Sequence, residues 1–154
     1  MTSDVSLKSK LQSDLNGAIK SRNTVVAETI RMVLSAITNE EVAGKEKREL
    51  TDAEVITVLT REAKKRREAA EAFEAGGRAD RAAAERAEGE VIASYLPEQL
   101  SETEIKNLIA ETIAAVGAAG PSDMGKVMGS LKAKVAGKAD GALVSSLVKE
   151  ALNK

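Results

Sequence analysis

The chain has almost no aromatic side chains: its 154 residues include one Phe, one Tyr and no Trp. Alanine occurs 26 times, and the other abundant residues, Leu, Glu, Lys and Arg, lose little rotamer freedom in a helix. A core made of such residues is thin and aliphatic, and it forms when helices approach each other closely over alanine. The composition therefore favours an all-α helical bundle over a sheet sandwich.

The absence of two residue types limits the catalytic and metal-binding chemistry that the chain can perform. The chain contains no histidine and no cysteine, which removes the usual general base near neutral pH, thiolate nucleophiles, disulfides and Cys/His metal sites. Carboxylate pairs such as Glu40-Glu41 are typical of a charged helical surface, and no pattern predicts the burial that would raise a pKa. We therefore predict no catalytic residue, no metal ligand and no cofactor.

The charge balance limits the possible partners. The chain carries 23 Lys and Arg against 24 Asp and Glu, a formal net charge of -1, so nucleic-acid binding would need a local basic patch. The longest uncharged run, residues 112–122, has 11 residues, whereas a membrane span needs roughly 20. The amino-terminal stretch lacks the apolar region of a secretory signal. We expect a cytoplasmic protein that does not enter a membrane.

Apolar periodicity and capping residues predict four helices in the first two thirds of the chain. The first is capped by Asp4 or Ser3, and the second ends at Gly44. A capping box, Thr51 with Glu54, begins the third helix, because the two side chains can satisfy each other's free first-turn amides. The predicted spans run from Leu7 to Ile19, from Thr24 to Gly44, from the capping box to Gly76-Gly77, and from Asp80 to Tyr95.

A boundary is predicted at the segment 95–100, because Pro97 disfavours helical geometry in the residue before it. A second capping box, Ser101 with Glu104, then begins a fifth helix. Six of the 11 glycines lie between residues 117 and 141, which predicts two short helices with close turns, 122–136 and 140–152. We predict two units, an amino-terminal helical domain of residues 1–96 and a small helical domain of residues 97–154.

A basic run, residues 61–68, lies on the third helix and contains five positive and two negative residues. Consecutive basic residues point in all directions around a helix, and Glu62, Glu68 and Glu71 lie within one turn of basic partners. The run is therefore interpreted either as a solvated helix face or as a contact for nucleic acid or a protein partner.

Gly125 and Gly129 lie four residues apart on one face of a helix that Ser122 or Asp123 would cap. Glycine inside a helix costs roughly 1 kcal/mol relative to alanine, so a compensating gain is expected. Two gains fit the pattern: another helix packs closely against this face, or a ligand approaches it beside Lys126.

The most basic stretch, residues 124–149, contains five lysines and a single acidic residue, Asp140, a local charge of +4. A glycine-flanked turn at residues 137–141 would present Lys138 close to a helix end, which suits a phosphate group. Asp140 also fits the N-cap of the last helix. The candidate nucleic-acid-binding residues are Gly125, Lys126, Gly129, Lys132, Lys134 and Lys138.

Three segments in this order carry a resemblance to a known family: YLPEQLS at 95–101, DMGKVMG at 123–129 and GKADG at 137–141. With Ser6-Leu7-Lys8 and FEAGGR at 73–78, the chain resembles the GatB/YqeY family over nearly its whole length. The resemblance implies an all-helical protein with an amino-terminal bundle and a domain similar to the tail of GatB, a subunit of the glutamine-dependent amidotransferase that acts on misacylated tRNA.

In that enzyme the tail helps to hold the tRNA, and the chemistry belongs to other parts. The resemblance implies an association with carbon–nitrogen ligase activity using glutamine as amido-N-donor, but the residues support a binding module rather than the reaction. The leading hypothesis is a tRNA-binding accessory protein. The alternative is a protein-interaction adaptor that docks an amidotransferase or an aminoacyl-tRNA synthetase through its helices.

Overall fold

The computed structural model describes residues 6–153, and this range contains α-helices and no strand. The all-α prediction is confirmed. The helices are α1 (Leu7–Lys20), α2 (Thr24–Glu41), α3 (Asp52–Ala75), α4 (Ala79–Ala93), α5 (Glu102–Val116), α6 (Met124–Val135) and α7 (Gly141–Leu152), with one 3₁₀ turn, Pro121–Asp123, directly before α6.

Backbone contacts divide the chain into two compact units, Met1–Leu96 and Pro97–Lys154. Each unit has its own aliphatic core, and each buried Leu, Ile or Val contributes about 1.5–3 kcal/mol. The core of the first unit is made by Leu11, Ile30, Val33, Ile37, Val55, Val58, Leu59 and Ile92. The core of the second unit is made by Ile105, Ile109, Val127, Leu131, Val135, Val144, Leu147, Val148 and Leu152.

Small residues bring α3 and α4 together in the first unit. Ala70 on α3 and Ala82 on α4 are fully buried. A Cβ placed on Gly89 of α4 would lie 3.7 Å from the Cβ of Arg66 on α3, which is ordinary van der Waals contact. The expected thin core with close helix approach over alanine is therefore present in this unit.

Tyr95 joins the end of α4 to α1. Its hydroxyl donates a hydrogen bond to the Asp14 carboxylate at 2.5 Å, and Lys10 Nζ lies 5.6 Å from the centre of its ring. Burial, and secondarily the bond to Asp14, raise the pKa of Tyr95, so the phenol stays a hydrogen-bond donor across the physiological range.

Two helix boundaries differ from the prediction. Ser6 caps α1 by accepting from the Ser9 amide at 3.1 Å, and the predicted caps Asp4 and Ser3 lie outside the described residues. The second helix ends at Glu41 rather than Gly44. There the Lys8 ammonium donates to both oxygens of the buried Glu41 side chain, and Glu41 O accepts from the Arg48 amide at 3.1 Å, so the chain turns away from the helix axis.

Both predicted capping boxes are confirmed. Thr51 and Glu54 bond reciprocally at the start of α3, and Ser101 and Glu104 do the same at the start of α5. The Arg48 guanidinium adds a bidentate ion pair to Glu54. This pair, followed by the Thr51 amide, lowers the pKa of Glu54 to about 2.

Candidate nucleic-acid interface

The helix that carries most of the candidate residues, α6, has one buried face and one open face. Val127, Leu131 and Val135 point into the core of the second unit. Gly125, Gly129 and Lys132, which follow one another at intervals of four and three residues, are all exposed. Their spacing puts them on one side of the helix, facing away from the core.

The two glycines leave open space beside α6. A Cβ built on Gly125 or on Gly129 would meet no atom within 4 Å among the described residues. Neither glycine has a positive φ, so backbone conformation does not require glycine at these positions. Within the described residues of the second unit no helix packs against this face, so the predicted packing against the fifth or the last helix is wrong. The approach of a ligand to this face stays a prediction.

The four candidate lysines are exposed, and none of them forms an ion pair among the described residues. In the part of the chain that the structure describes, no carboxylate lies within 4 Å of the ammonium groups of Lys126, Lys132, Lys134 or Lys138. They do not all share one direction. Lys134 follows Lys132 by two residues, and side chains so spaced leave a helix on different sides. Lys132 therefore lies on the same side of α6 as Gly125 and Gly129, which we call the glycine face, whereas Lys134 lies on another side.

Lys138 lies in the turn between α6 and α7, and the segment that begins the second unit fixes this turn. Gly137 adopts the left-handed conformation, with φ of 72°, which favours glycine. The Gln99 side-chain amide donates at 2.8 Å to both the Gly137 and the Pro97 carbonyls. The Leu100 amide donates at 2.8 Å to the Lys138 carbonyl.

We call these three bonds, made by Gln99 and Leu100, the clasp. Two of the three segments that carry the family resemblance meet here, although they are far apart in sequence. The sequence patterns did not predict this contact. One feature of the sequence could have indicated it. The stretch 97–100 is non-helical, so its backbone groups need hydrogen-bond partners outside a helix.

Asp123 lies at the amino-terminal end of α6. This residue occupies the N-cap position, as predicted, but its side chain does not bond to the amides of α6. Instead its carboxylate accepts from the Ala119 amide at 2.8 Å and from the Gly120 amide at 3.4 Å. These two bonds, with a smaller contribution from Lys126, lower the pKa of Asp123. The carboxylate is therefore bound to the preceding turn, and Lys126 is the one candidate lysine that contributes to its lowered pKa.

In the other basic stretch, residues 61–68 on α3, every basic residue except Arg67 has an acidic partner in its own unit, and Arg61 lies 3.4 Å from Glu40 of α2. Lys65 and Arg66 lie 3.1 Å and 3.7 Å from the carboxylate of Glu62, and Lys64 lies 4.0 Å from Glu68. The prediction that Glu62 and Glu68 each pair with a basic residue within one helical turn is confirmed.

Arg66 also reaches across to α4, where it lies 3.2 Å from Glu85 and 3.7 Å from Glu88. Its side chain is only 17% exposed and that of Glu62 only 6%. Arg66 therefore belongs to a structural ion-pair cluster that joins α3 to α4, which neither interpretation of the sequence included, whereas most other basic residues of the run lie on a solvated face.

An apolar groove runs between α5 and α7 in the second unit. It encloses about 380 Å³, and its floor includes the core residues Ile109 and Leu147. Its two charged lining residues in the described range, Lys106 on α5 and Glu150 on α7, are both exposed, and we call them its rims. The described residues that line it are Lys106, Ile109, Ala110, Ile113, Leu147, Glu150 and Ala151. We call it the α5–α7 groove.

Within residues 6–153, no cluster of three or more Asp or Glu side chains could hold a metal ion. No helix in the described range is both long enough and apolar enough to cross a membrane.

The fold defines a class of small all-α protein whose carboxyl-terminal unit is rich in glycine and carries a lysine-bearing turn. The model of one family, described as Yqey-like protein, matches residues 8–152. The chain therefore belongs to the YqeY family, and the resemblance seen in the sequence is confirmed.

Two relatives extend this comparison. An uncharacterized protein of Schizosaccharomyces pombe is 34% identical over 96 residues, which cover 62% of this chain and 76% of the relative. A protein of Pyrenophora tritici-repentis, named altered inheritance of mitochondria protein 41, mitochondrial, is 28% identical over 144 residues, covering 92% of this chain and 78% of the relative.

Proposed function

We propose that this protein is a tRNA-binding accessory protein and that its carboxyl-terminal unit, residues 97–154, makes the contact. The observation that carries the proposal is the set of exposed lysines, at 126, 132, 134 and 138, without a carboxylate partner in the described range. Such ammonium groups are available for phosphates, whereas paired ones would first have to break an ion pair. A cytoplasmic location is part of the proposal.

The open glycine face supports the same proposal. With no side chain at Gly125 and Gly129 and no atom within 4 Å of their missing Cβ positions, a sugar–phosphate backbone can approach the helix closely between Lys126 and Lys132. Structured RNA is recognised through its shape and through phosphate and 2′-OH contacts, which need no aromatic stacking platform. This matches a unit without aromatic residues after Tyr95.

Titration of the labelled protein with total tRNA, followed by fluorescence anisotropy at two salt concentrations, tests the proposal. If all four lysines contact phosphates, the slope of log affinity against log salt is about -3, at roughly 0.7–0.9 per phosphate. Replacing all four lysines with glutamate is expected to abolish binding and leave the helical content unchanged.

A matched control is available in the first unit. Lys20 and Lys45 are exposed and have no ion pair in the described range, so the double variant Lys20→Glu/Lys45→Glu changes the net charge as much as Lys132→Glu/Lys138→Glu. Loss of affinity in the second variant alone supports the assignment. Equal loss in both would mean a diffuse charge effect, and unchanged affinity in both would refute the site.

A second candidate function, an adaptor for an amidotransferase or an aminoacyl-tRNA synthetase, is favoured by the α5–α7 groove. A protein partner that packs on apolar surface would bind with little dependence on salt, in contrast to tRNA. The two candidates assign different surfaces of the second unit, because no residue of α6 lines the groove.

A further inference from the structure

The α5–α7 groove has the features of a docking surface for a helix. Its lining residues on α5, at 106, 109, 110 and 113, span two helical turns, about 10 Å at 1.5 Å per residue. Its floor consists of aliphatic side chains, and Ala110 and Ala151 in the lining are small enough for a second backbone to come close.

The rims of the groove carry opposite charges that are little used within the chain. Lys106 lies 3.6 Å from Glu102, one turn earlier on the same helix, and both side chains are more than half exposed. Such a pair contributes little and exchanges partners easily. Glu150, on the opposite rim, has no ion pair among the described residues.

We propose that the α5–α7 groove binds an amphipathic helix of a partner protein, whose apolar edge is flanked by one basic and one acidic residue. Two apolar side chains at positions i and i+4 fit the length of the groove, the basic residue faces Glu150 and the acidic residue faces Lys106. The inference does not depend on tRNA binding, and it gives the adaptor candidate a specific site.

Three synthetic alanine-based helical peptides serve as probes. Each carries leucine at i and i+4, and the flanking charges are Lys/Glu in the first, Glu/Glu in the second and Lys/Lys in the third. Anisotropy of the labelled peptides gives their affinities for the full chain. The wild-type protein is expected to prefer the Lys/Glu peptide, because one rim is positive and the other negative.

Variants of the two rims make the test independent of peptide direction. Glu150→Lys makes both rims positive and is expected to shift the preference to the Glu/Glu peptide. Lys106→Glu makes both rims negative and is expected to shift it to the Lys/Lys peptide. Each shift is expected to be about two- to fivefold, as for exposed ion pairs. Unchanged preferences would overturn the assignment of the partner's charges.

Substitutions in the lining test the site itself. Ala110→Glu puts a charge in the groove and is expected to weaken peptide binding at least about tenfold. Ala115→Glu, exposed on the same helix but outside the groove, is the control. If Ala110→Glu lowers the helical content, Ala110→Leu fills the groove without adding a charge and is expected to weaken binding too.

The remaining outcomes overturn the proposal. The first is no peptide binding at about 1 mM, and the second is equal binding by Ala110→Glu and the wild type. The third is a self-association that Ala110→Glu abolishes, which would identify a second copy of the chain as the occupant.

The tRNA titration is repeated with Ala110→Glu and is expected to be unchanged. Peptide binding without tRNA binding would refute the proposed function and leave the groove assignment intact.

Discussion

Two basic stretches of similar net charge, +3 at residues 61–68 and +4 at residues 124–149, have opposite environments in this protein. The run at 61–68 on α3 lies among carboxylates of its own unit, above all Glu62, Glu85 and Glu88. The lysines of α6 and the following turn have no carboxylate within 4 Å in the described range. The two stretches have similar numbers of positive charges. They differ in where the acidic residues lie.

The comparison shows how a nearly neutral chain can still present a patch of exposed positive charge. In the first unit, acidic and basic residues at intervals of three and four neutralise each other on α3, and α4 supplies the remaining carboxylates. In the second unit, the acidic residue nearest in sequence to the lysines of α6, Asp123, is bound to backbone amides. Positive charge is thus gathered at residues 126–138, although residues 97–154 as a whole contain seven Lys and Arg against seven Asp and Glu.

The largest effect is expected from Arg66→Ala. It removes the cation that lies between Glu62 on α3 and the two carboxylates of α4, and it leaves a nearly inaccessible Glu62 without this partner. We expect the free energy of unfolding at pH 7 to fall by about 3 kcal/mol, measured by urea denaturation, with tRNA affinity unchanged at a temperature where the variant is folded.

Arg67→Ala is the control for this variant, because Arg67 is exposed and has no ion pair in the described range. Its effect is expected to stay within about 0.5 kcal/mol. If both variants are equally stable, the α3 run is an ordinary solvated face, and the contrast between the two basic stretches disappears.

A smaller effect of opposite sign is expected from Gly129→Ala. The new Cβ meets no atom and the backbone is helical, so the substitution should stabilise the protein by up to about 1 kcal/mol. If RNA approaches this face, the same methyl group should weaken tRNA binding. The measurements are thermal unfolding and the tRNA titration.

Gly17→Ala provides the matched control, since Gly17 is also an exposed helical glycine whose Cβ would meet no atom within 4 Å. It should stabilise to a similar extent and leave tRNA affinity unchanged. A Gly129→Ala protein that is more stable and binds tRNA normally would remove the reason for assigning the glycine face to RNA.

The smallest effect concerns the two capping boxes at acid pH. In both, the pKa of the glutamate is lowered, mainly by Arg48 for Glu54 and by the Ser101 amide for Glu104. The lowered pKa stabilises the folded state. This stabilisation is complete at a pH above 4.5, the pKa of the glutamate in the unfolded chain, and it is lost as the pH falls towards the pKa in the folded chain, about 2 for Glu54.

Glu54→Gln should therefore remove more of the acid-dependent stability than Glu104→Gln, because only Glu54 has an arginine partner. Chemical denaturation of both variants between pH 6 and pH 2.5 measures the difference. Identical pH profiles would show that the Arg48 pair adds nothing to the capping box, and that ion pairing distinguishes the units less than the structure indicates.

The helices were predictable from the sequence, whereas several contacts between them were not. Apolar periodicity and two capping boxes are local signals, and they placed all seven helices of the described range to within a few residues. The reach of Arg66 to α4 and the clasp on the turn at Gly137 depend on which helix faces pair, which no local pattern records. The open space at Gly125 and Gly129 is a property of the same kind.

The clasp also sets an order of events during synthesis. Gln99 emerges from the ribosome 38 residues before Gly137, which at 5–20 residues per second corresponds to about 2–8 s. During that interval the Leu100 amide has only water as a partner, the Gln99 side chain can reach the Pro97 carbonyl but not that of Gly137, and α5 begins beside an incomplete unit. A nascent chain that stalls within α6 would therefore expose the apolar side of α5 to chaperones, while the residues of the first unit have all been made.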